Sequence, residues 1–345
     1  MTDASADLAR AVADTANGLF AQRVTQGLLE QAEGGAFARA LWDEAAELGL
    51  AAAALPEELG GLGSLRAAGA LLRPLGYHGV PLPLAEAVLG GWLAARAGLA
   101  VPQGVATLSP GTVALAGGRA TGTLKNVPFG RFAETVVALG EEDGRLDVVL
   151  LPPGEQIERG TNLAGEPRDQ LIYPGTPVIA RAPLPLPFEQ LKTAAAGLRA
   201  ALMAGTLSRV LDLTVMYAKD RVQFGKPLGK FQAIQQQIAV LANHTAAGVM
   251  AAERAIASIE ADDGPKMAAM AKIRVGEGAS EGVRIAHQVH GAMGFTHEHT
   301  LHHFTRRLWA WRDENGSEAH WARWLGDQAI AGGADALWTL VGETV

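Results

Sequence analysis

The 345-residue chain contains no cysteine. That excludes disulfides, thiolate nucleophiles, iron–sulfur clusters and cysteine-ligated zinc. It also lacks an apolar run long enough to span a bilayer, because its Ala-rich stretches are broken by Asp, Glu, Arg or Gly. Positive charge is not in excess. The net charge of −7 argues against broad binding to nucleic acid or to an anionic membrane. The segment Met1–Asp7 has neither the basic start nor the apolar core of a secretory signal, so a cytoplasmic location is expected. What the chain does have is 48% hydrophobic and 19% charged residues, a globular composition with enough length for two or three cores.

Periodicity divides the chain into three parts. Residues 1–100 read as Ala/Leu-rich helices, one of them over Leu41–Leu50 with Gly49 as its stop. The turn Leu55-Pro-Glu-Glu-Leu-Gly-Gly-Leu-Gly63 interrupts them, since proline fixes φ and the glycines accept left-handed conformations. Residues 101–187 change to short Val-, Leu- and Thr-rich runs. The best strands are Thr112–Ala116, Thr135–Leu139, Leu146–Leu151 and Pro177–Ala180, with Glu142-Asp-Gly144 as a turn. Residues 188–345 return to helix, roughly 188–219, 231–259, 265–293 and 298–325, with Pro265 placed to open the third. The fold class is therefore mainly α with a small β domain.

Two polar loops between these late helices carry the most information. The first is Arg221-Val-Gln-Phe-Gly225, leading into Phe231 and Gln232. A guanidinium at a helix end beside a Gly-containing loop suits a pyrophosphate; a surface arginine capping the helix is the plainer alternative. Gln223 adds an amide, Phe224 offers a flat apolar face for an adenine or for packing, and Gln232 a neutral donor and acceptor. Gln232, Gln235, Gln236 and Gln237 equally suit a solvated helix face. The second loop is Gln288-Val-His-Gly291-Ala292-Met-Gly294-Phe. Six histidines between His287 and His303 crowd the same region. The spacing His297-Glu298-His299 is not that of two imidazoles on one helix face; His299 and His303 could share a face but no third ligand is evident, so no metal site is expected.

These loops, together with the turn at 55–63 and the order helices, β domain, four-helix bundle, resemble the acyl-CoA dehydrogenase family over nearly the whole chain. The resemblance implies an N-terminal helical domain, a middle β-barrel or sandwich, and a C-terminal four-helix bundle. It implies FAD as cofactor, an acyl-CoA thioester as substrate and an electron-transfer protein as acceptor. It further implies that Arg221, Gln223, Phe224, Gln232, Gln288, Gly291 and Ala292 hold the ADP half of FAD across a subunit interface, and Ser317 is counted among the cofactor-binding residues with them. Ala292 stands where the family usually has a second glycine.

In this family a desolvated carboxylate abstracts the α-proton of the thioester. Counting from Gly294 places the family's Glu-Gly-Thr-like turn on Asn315-Gly316-Ser317, which keeps the glycine and a hydroxyl at Ser317 but has an amide in place of the carboxylate. Counting back from Arg221 to the alternative position reaches Ala194-Ala195-Ala196. No catalytic residue is assigned. Glu314 is the one nearby carboxylate, and a solvated acid beside Asp313 is the plainer reading of it. The family's Thr-Glu-Pro-x-Ala-Gly-Ser-Asp strand has no counterpart between Val101 and Thr121, and Thr121–Gly130 lacks the usual tryptophan. This pattern resembles the base-lacking subunit of the heterotetrameric acyl-CoA dehydrogenases of bacterial steroid side-chain catabolism. Two other readings stay open: a self-sufficient homo-oligomer using Glu314, and a non-catalytic FAD- or acyl-CoA-binding protein.

Overall fold

The computed structural model describes residues 3–102 and 104–342. Six helices come first: α1 (Asp3–Arg23), α2 (Gln26–Glu33), α3 (Arg39–Glu47), α4 (Leu65–Ala68), α5 (Leu72–His78) and α6 (Leu84–Arg96). Gly49 ends the third helical stretch with φ 74°, and Gly60 and Gly63 take φ 82° and 69° in the proline–glycine turn, as only glycine does at little cost.

Strands follow: β1 (Ala106–Ala116), β2 (Arg119–Pro128), β3 (Thr135–Glu142), β4 (Arg145–Leu151), β5 (Gln156–Glu158), β6 (Arg168–Pro177) and β7 (Ala180–Pro183). They form one seven-stranded sheet in the order β5-β6-β2-β1-β3-β4-β7. Every pairing is antiparallel except β1 with β3. Asp143 and Gly144, both at positive φ, close the β3–β4 hairpin. The strand expected at Pro177–Ala180 is corrected: Pro177 ends β6, Ala180 opens β7, and the two residues between change the chain's direction.

The C-terminal part holds α7 (Phe188–Asp220), a two-residue hairpin of β8 (Val222–Gln223) and β9 (Lys226–Pro227), α8 (Gln232–Ala257), α9 (Gly264–His290), α10 (Leu301–Asp313) and α11 (Glu318–Gly342). The helix expected over 298–325 is in fact two. Asn315 and Gly316, at φ 58° and 94°, break it. Lys272, 1% exposed, donates from Nζ to the carbonyls of Trp311 and Arg312 at 3.0 and 2.6 Å and so caps the end of α10.

Helices α7 and α9 run side by side in the same direction. A Cβ on Gly197 would touch Ala268 near their starts, and Tyr217 stacks on His290 near their ends. Helix α5 crosses α7 so closely that a Cβ on Gly76 would lie 1.9 Å from the Leu202 carbonyl and one on Gly205 2.1 Å from that of Arg73. One large core, containing Leu72, Trp92, Leu108, Val137, Leu198 and Phe304 among others, runs through helices and sheet alike.

Candidate functional site

The two polar loops leave the same end of the bundle. Arg221 follows α7 directly, with its backbone N–H on the Tyr217 carbonyl at 2.9 Å. Phe224 and Gly225, at φ 53° and 79°, turn the β8–β9 hairpin, and Phe224 is 90% exposed. Gln232 opens α8. Gln288 lies on the last turn of α9, and Gly291 then adopts φ 59°, ψ −141°, a conformation open in practice to glycine alone. The next residues, Gly291–Phe295, form a short 3₁₀ turn with Ala292 exposed. Among the described residues, the side chains of Arg221, Gln223, Gln232 and Gln288 have no hydrogen-bond or ionic partner, and all four are exposed. The sequence's polar groups thus stand together as an open surface of unsatisfied donors and acceptors.

Ser317 stands elsewhere. Its hydroxyl accepts the His320 N–H at 3.4 Å, serving the first turn of α11. Asn315, two residues earlier, touches Arg199 of α7, and Arg199 lies roughly 33 Å along that helix from Arg221 at 1.5 Å per residue. The chain does not bring Ser317 to the two loops.

A cavity of about 760 Å³ opens between α6, α7, β1, β2 and the α10–α11 turn. The sequence count gives two places for a base: Asn315 lines the cavity, and of the stretch Ala194–Ala196 so does Ala195. Its carboxylates are Glu86, Asp313 and Glu314. Asp313 is exposed at the end of α10. Glu314 is neither a solvated acid nor a poised base, and both expectations are corrected. Arg168 grips it through Nε–Oε1 at 2.8 Å and Nη2–Oε2 at 2.9 Å, Asn162 donates to Oε1 at 3.0 Å, and Arg199 adds an ion pair at 3.2 Å. Burial pushes the carboxyl pKa up, but the two guanidiniums and these hydrogen bonds outweigh it and hold it at about 2. Such a group has little affinity for a proton at neutral pH.

Glu314 is one member of a buried chain of alternating charges. Glu33 of α2 meets Arg307 of α10 at 3.1 Å, and Arg307 meets Glu166 at 3.3 Å. Glu166 meets Arg168 of β6 at 3.1 Å. From Arg168 the chain passes through Glu314 to Arg199, which pairs with Glu86 of α6 at 2.8 Å. Pairs of this kind contribute modestly against an apolar alternative, yet removing one partner strands a buried charge. The sequence reading missed Arg168 and Arg199. A guanidinium within the apolar run Leu198–Gly205 of α7 was the available signal.

The histidines resolve into two groups. His303 Nδ1 lies 2.7 Å from Glu33, whose carboxylate also takes Arg306 and Arg307. Glu33, His302 and His303 are near enough to bind an ion, but two guanidiniums already neutralise the carboxylate. His287, His290 and His299 pack instead around the second loop: Tyr217 to His290 is 4.4 Å between ring centroids, His290 to His299 4.6 Å, and His287 to Phe295 4.2 Å.

Family models for the acyl-CoA dehydrogenase N-terminal and C-terminal domains match residues 7–99 and 189–326. The acyl-CoA dehydrogenase IpdE2 of Mycolicibacterium smegmatis is 33% identical over 268 residues, covering 76% of this chain and 78% of that protein. The chain belongs to the acyl-CoA dehydrogenase family. IpdE2 of Mycobacterium tuberculosis is 34% identical over a stretch of the same length. Among solved structures, a variant of the Tcur3481–Tcur3483 steroid acyl-CoA dehydrogenase superposes with a TM-score of 0.85 at 26% identity, over 96% of this chain and 99% of that one. The ChsE4–ChsE5 complex of Mycobacterium tuberculosis shares the fold, with a TM-score of 0.81 at 22% identity.

FAD is the cofactor of this family, and the first-described end of the bundle fits part of it. An unpaired guanidinium, three free amides and a glycine-only backbone turn form a surface able to bind a dinucleotide. In the cavity the two buried guanidiniums, Arg168 and Arg199, are committed to Glu86, Glu166 and Glu314. No helix among the described residues is long and apolar enough to cross a membrane.

Proposed function

We propose that this chain is the base-lacking subunit of a heteromeric acyl-CoA dehydrogenase. Its ADP-side loops complete an FAD site whose flavin pocket and catalytic carboxylate belong to a homologous partner chain. The observation that carries this reading is that Asn315 and, from the Ala194–Ala196 stretch, Ala195 line one cavity in which Glu86 and Glu314 are already ion-paired. Support comes also from the heteromeric relatives, the Tcur3481–Tcur3483 and ChsE4–ChsE5 proteins, which share the fold over almost their full length.

In this reading Arg221 pairs with the pyrophosphate, Gln288 and Gln232 bond the adenosine side, Gln223 and Phe224 flank it, and Gly291 with Ala292 lets the backbone approach. FAD, when bound, supplies the hydride acceptor for α,β-dehydrogenation of an acyl-CoA thioester, with electrons passing on to a carrier protein. Ser317 serves the helix cap, a role unrelated to this surface. A steroid-derived acyl group is the substrate class favoured by the relatives. The division into residues 1–100, 101–187 and 188–345 belongs to the same proposal, with helices ending at Arg96 and resuming at Phe188 in its support.

The test is turnover of acyl-CoA by the chain alone, by Asn315→Glu alone, and by the chain coexpressed with a base-bearing homologue. Only the coexpressed pair should turn over. Full activity of the isolated wild-type chain would overturn the reading.

A further inference from the structure

The two dinucleotide loops belong to helices that are distant in sequence, so something must hold them in register. Four aromatic and imidazole contacts stand where that device is needed. His287 and His290, three residues apart on the last turn of α9, lie on adjacent parts of one face. The 291–295 turn folds back over both. A Cβ on Gly294 would come within 3.0 Å of the His290 Cβ and 3.1 Å of His287 Nδ1. His287 stacks on Phe295 at the far end of the turn and bonds Thr305 through Nε2 at 3.0 Å. His290, 3% exposed, stacks nearly flat on Tyr217, one turn before Arg221. His299 closes the group edge-on to both Tyr217 and His290 and accepts the Leu301 N–H, which anchors the start of α10.

From this arrangement we infer that Tyr217 and His290 are positioning residues for FAD: their stack couples the Arg221 hairpin to the Gln288–Ala292 loop and sets the spacing between pyrophosphate and adenosine contacts. The inference rests on the reading of these loops as the FAD surface, and it assigns a function to residues that touch no ligand themselves. An offset or near-parallel ring pair contributes beyond the area it buries, and its loss here would free both loops at once.

The stack also has a preferred charge state. His290 donates from Nδ1 to the Ala286 carbonyl at 2.7 Å, which leaves a buried Nε2 with no partner among the described residues. Protonation would place a charge there without an acceptor. The titratable groups facing it are His287 on its own helix, Tyr217 on α7 and His299 before α10; the two imidazoles add no compensating negative charge. Burial lowers its pKa to about 4, against the weaker opposing pull of the Ala286 bond. Because the folded value lies below the ordinary 6.5, order in the loops is complete above about pH 6.5 and weakens as pH falls toward 4.

The experiment uses four proteins, wild type, Tyr217→Ala, His290→Ala and His290→Phe, each coexpressed with the base-bearing partner and each also prepared alone. FAD affinity is measured between pH 4.5 and 8. Backbone hydrogen exchange is measured over residues 221–232 and 286–296 in the isolated chain. Tyr217→Ala and His290→Ala should raise exchange in both loops together and weaken FAD binding about tenfold, the order of one aromatic pair. His290→Phe keeps the ring, so it should restore FAD binding and reduce its loss at acid pH, the remainder coming from His287 and His299, which burial also shifts downward. Exchange confined to the mutated loop, or a Phe variant as weak as Ala, would overturn the inference. Coupled exchange with no FAD binding by any of the assembled proteins would uphold the mechanical coupling and defeat the cofactor reading instead.

Discussion

At the scale of single residues, the decisive fact is what surrounds Glu314. A carboxylate beside an empty base position invites a catalytic role, yet Arg168, Arg199 and Asn162 consume its lone pairs. Glu314→Gln should therefore act on stability first. Arg168 and Arg199 each lose one of two carboxylate partners and keep Glu166 and Glu86, so the cost stays below the roughly 3–5 kcal/mol of a fully broken buried pair. It is read as a lower denaturant midpoint, while turnover per folded complex stays close to wild type. The pH dependence follows in sign. With a folded pKa near 2 against 4.5 ordinarily, Glu314 stabilises fully above about pH 4.5, and that contribution fades as pH drops toward 2. Urea titrations of wild type and Glu314→Gln should converge over that interval. Arg221 is the opposite case, exposed and free of internal partners. Arg221→Ala should leave circular dichroism and thermal midpoint unchanged and strip FAD from the assembled protein. Removal of a desolvated charge pair costs about 2–5 kcal/mol; unchanged flavin content in the variant would make Arg221 a mere helix-end residue.

At the scale of elements, the α10–α11 turn carries Glu314, Asn315 and Ser317. Its position depends on Lys272, which reaches across from α9 to the last carbonyls of α10. Burial, with help from Arg199, lowers the pKa of this ammonium to about 7. Since the folded value lies below 10.5, folding favours the neutral amine, and the wild-type protein should gain stability as pH rises from about 7 to 10.5. Lys272→Met should be less stable at every pH in that range and should lose the rise; an identical slope in the variant would assign the effect to another group. Much of this level was legible in the sequence. Helical periodicity placed α7, α8 and α9 within a few residues, and counting from Gly294 found Asn315 in the turn. The break between α10 and α11 was not read from periodicity, because Trp309, Trp311 and Trp321 continue the apolar pattern across it; the Asn315-Gly316 dipeptide, at positive φ in both residues, was the signal for it. The environment of Glu314 was hidden for another reason: Arg168 lies 146 residues away, a distance across which periodicity carries nothing.

For the whole molecule, the ion chain from Glu33 to Glu86 ties the first helices, the sheet and the bundle together through the place where chemistry would otherwise occur. Paired charges on this ground, and an open surface of free polar groups at the other end of α7, are what the proposed service to a neighbour's site requires. The account's central claim is that division of labour, and flavin stoichiometry tests it most directly. Flavin absorbance per polypeptide should be measured for the chain purified alone and for the complex with a base-bearing homologue. The account predicts almost no bound flavin in the first and about one FAD for each pair of unlike chains in the second. A full and stable complement of FAD in the chain alone would contradict it.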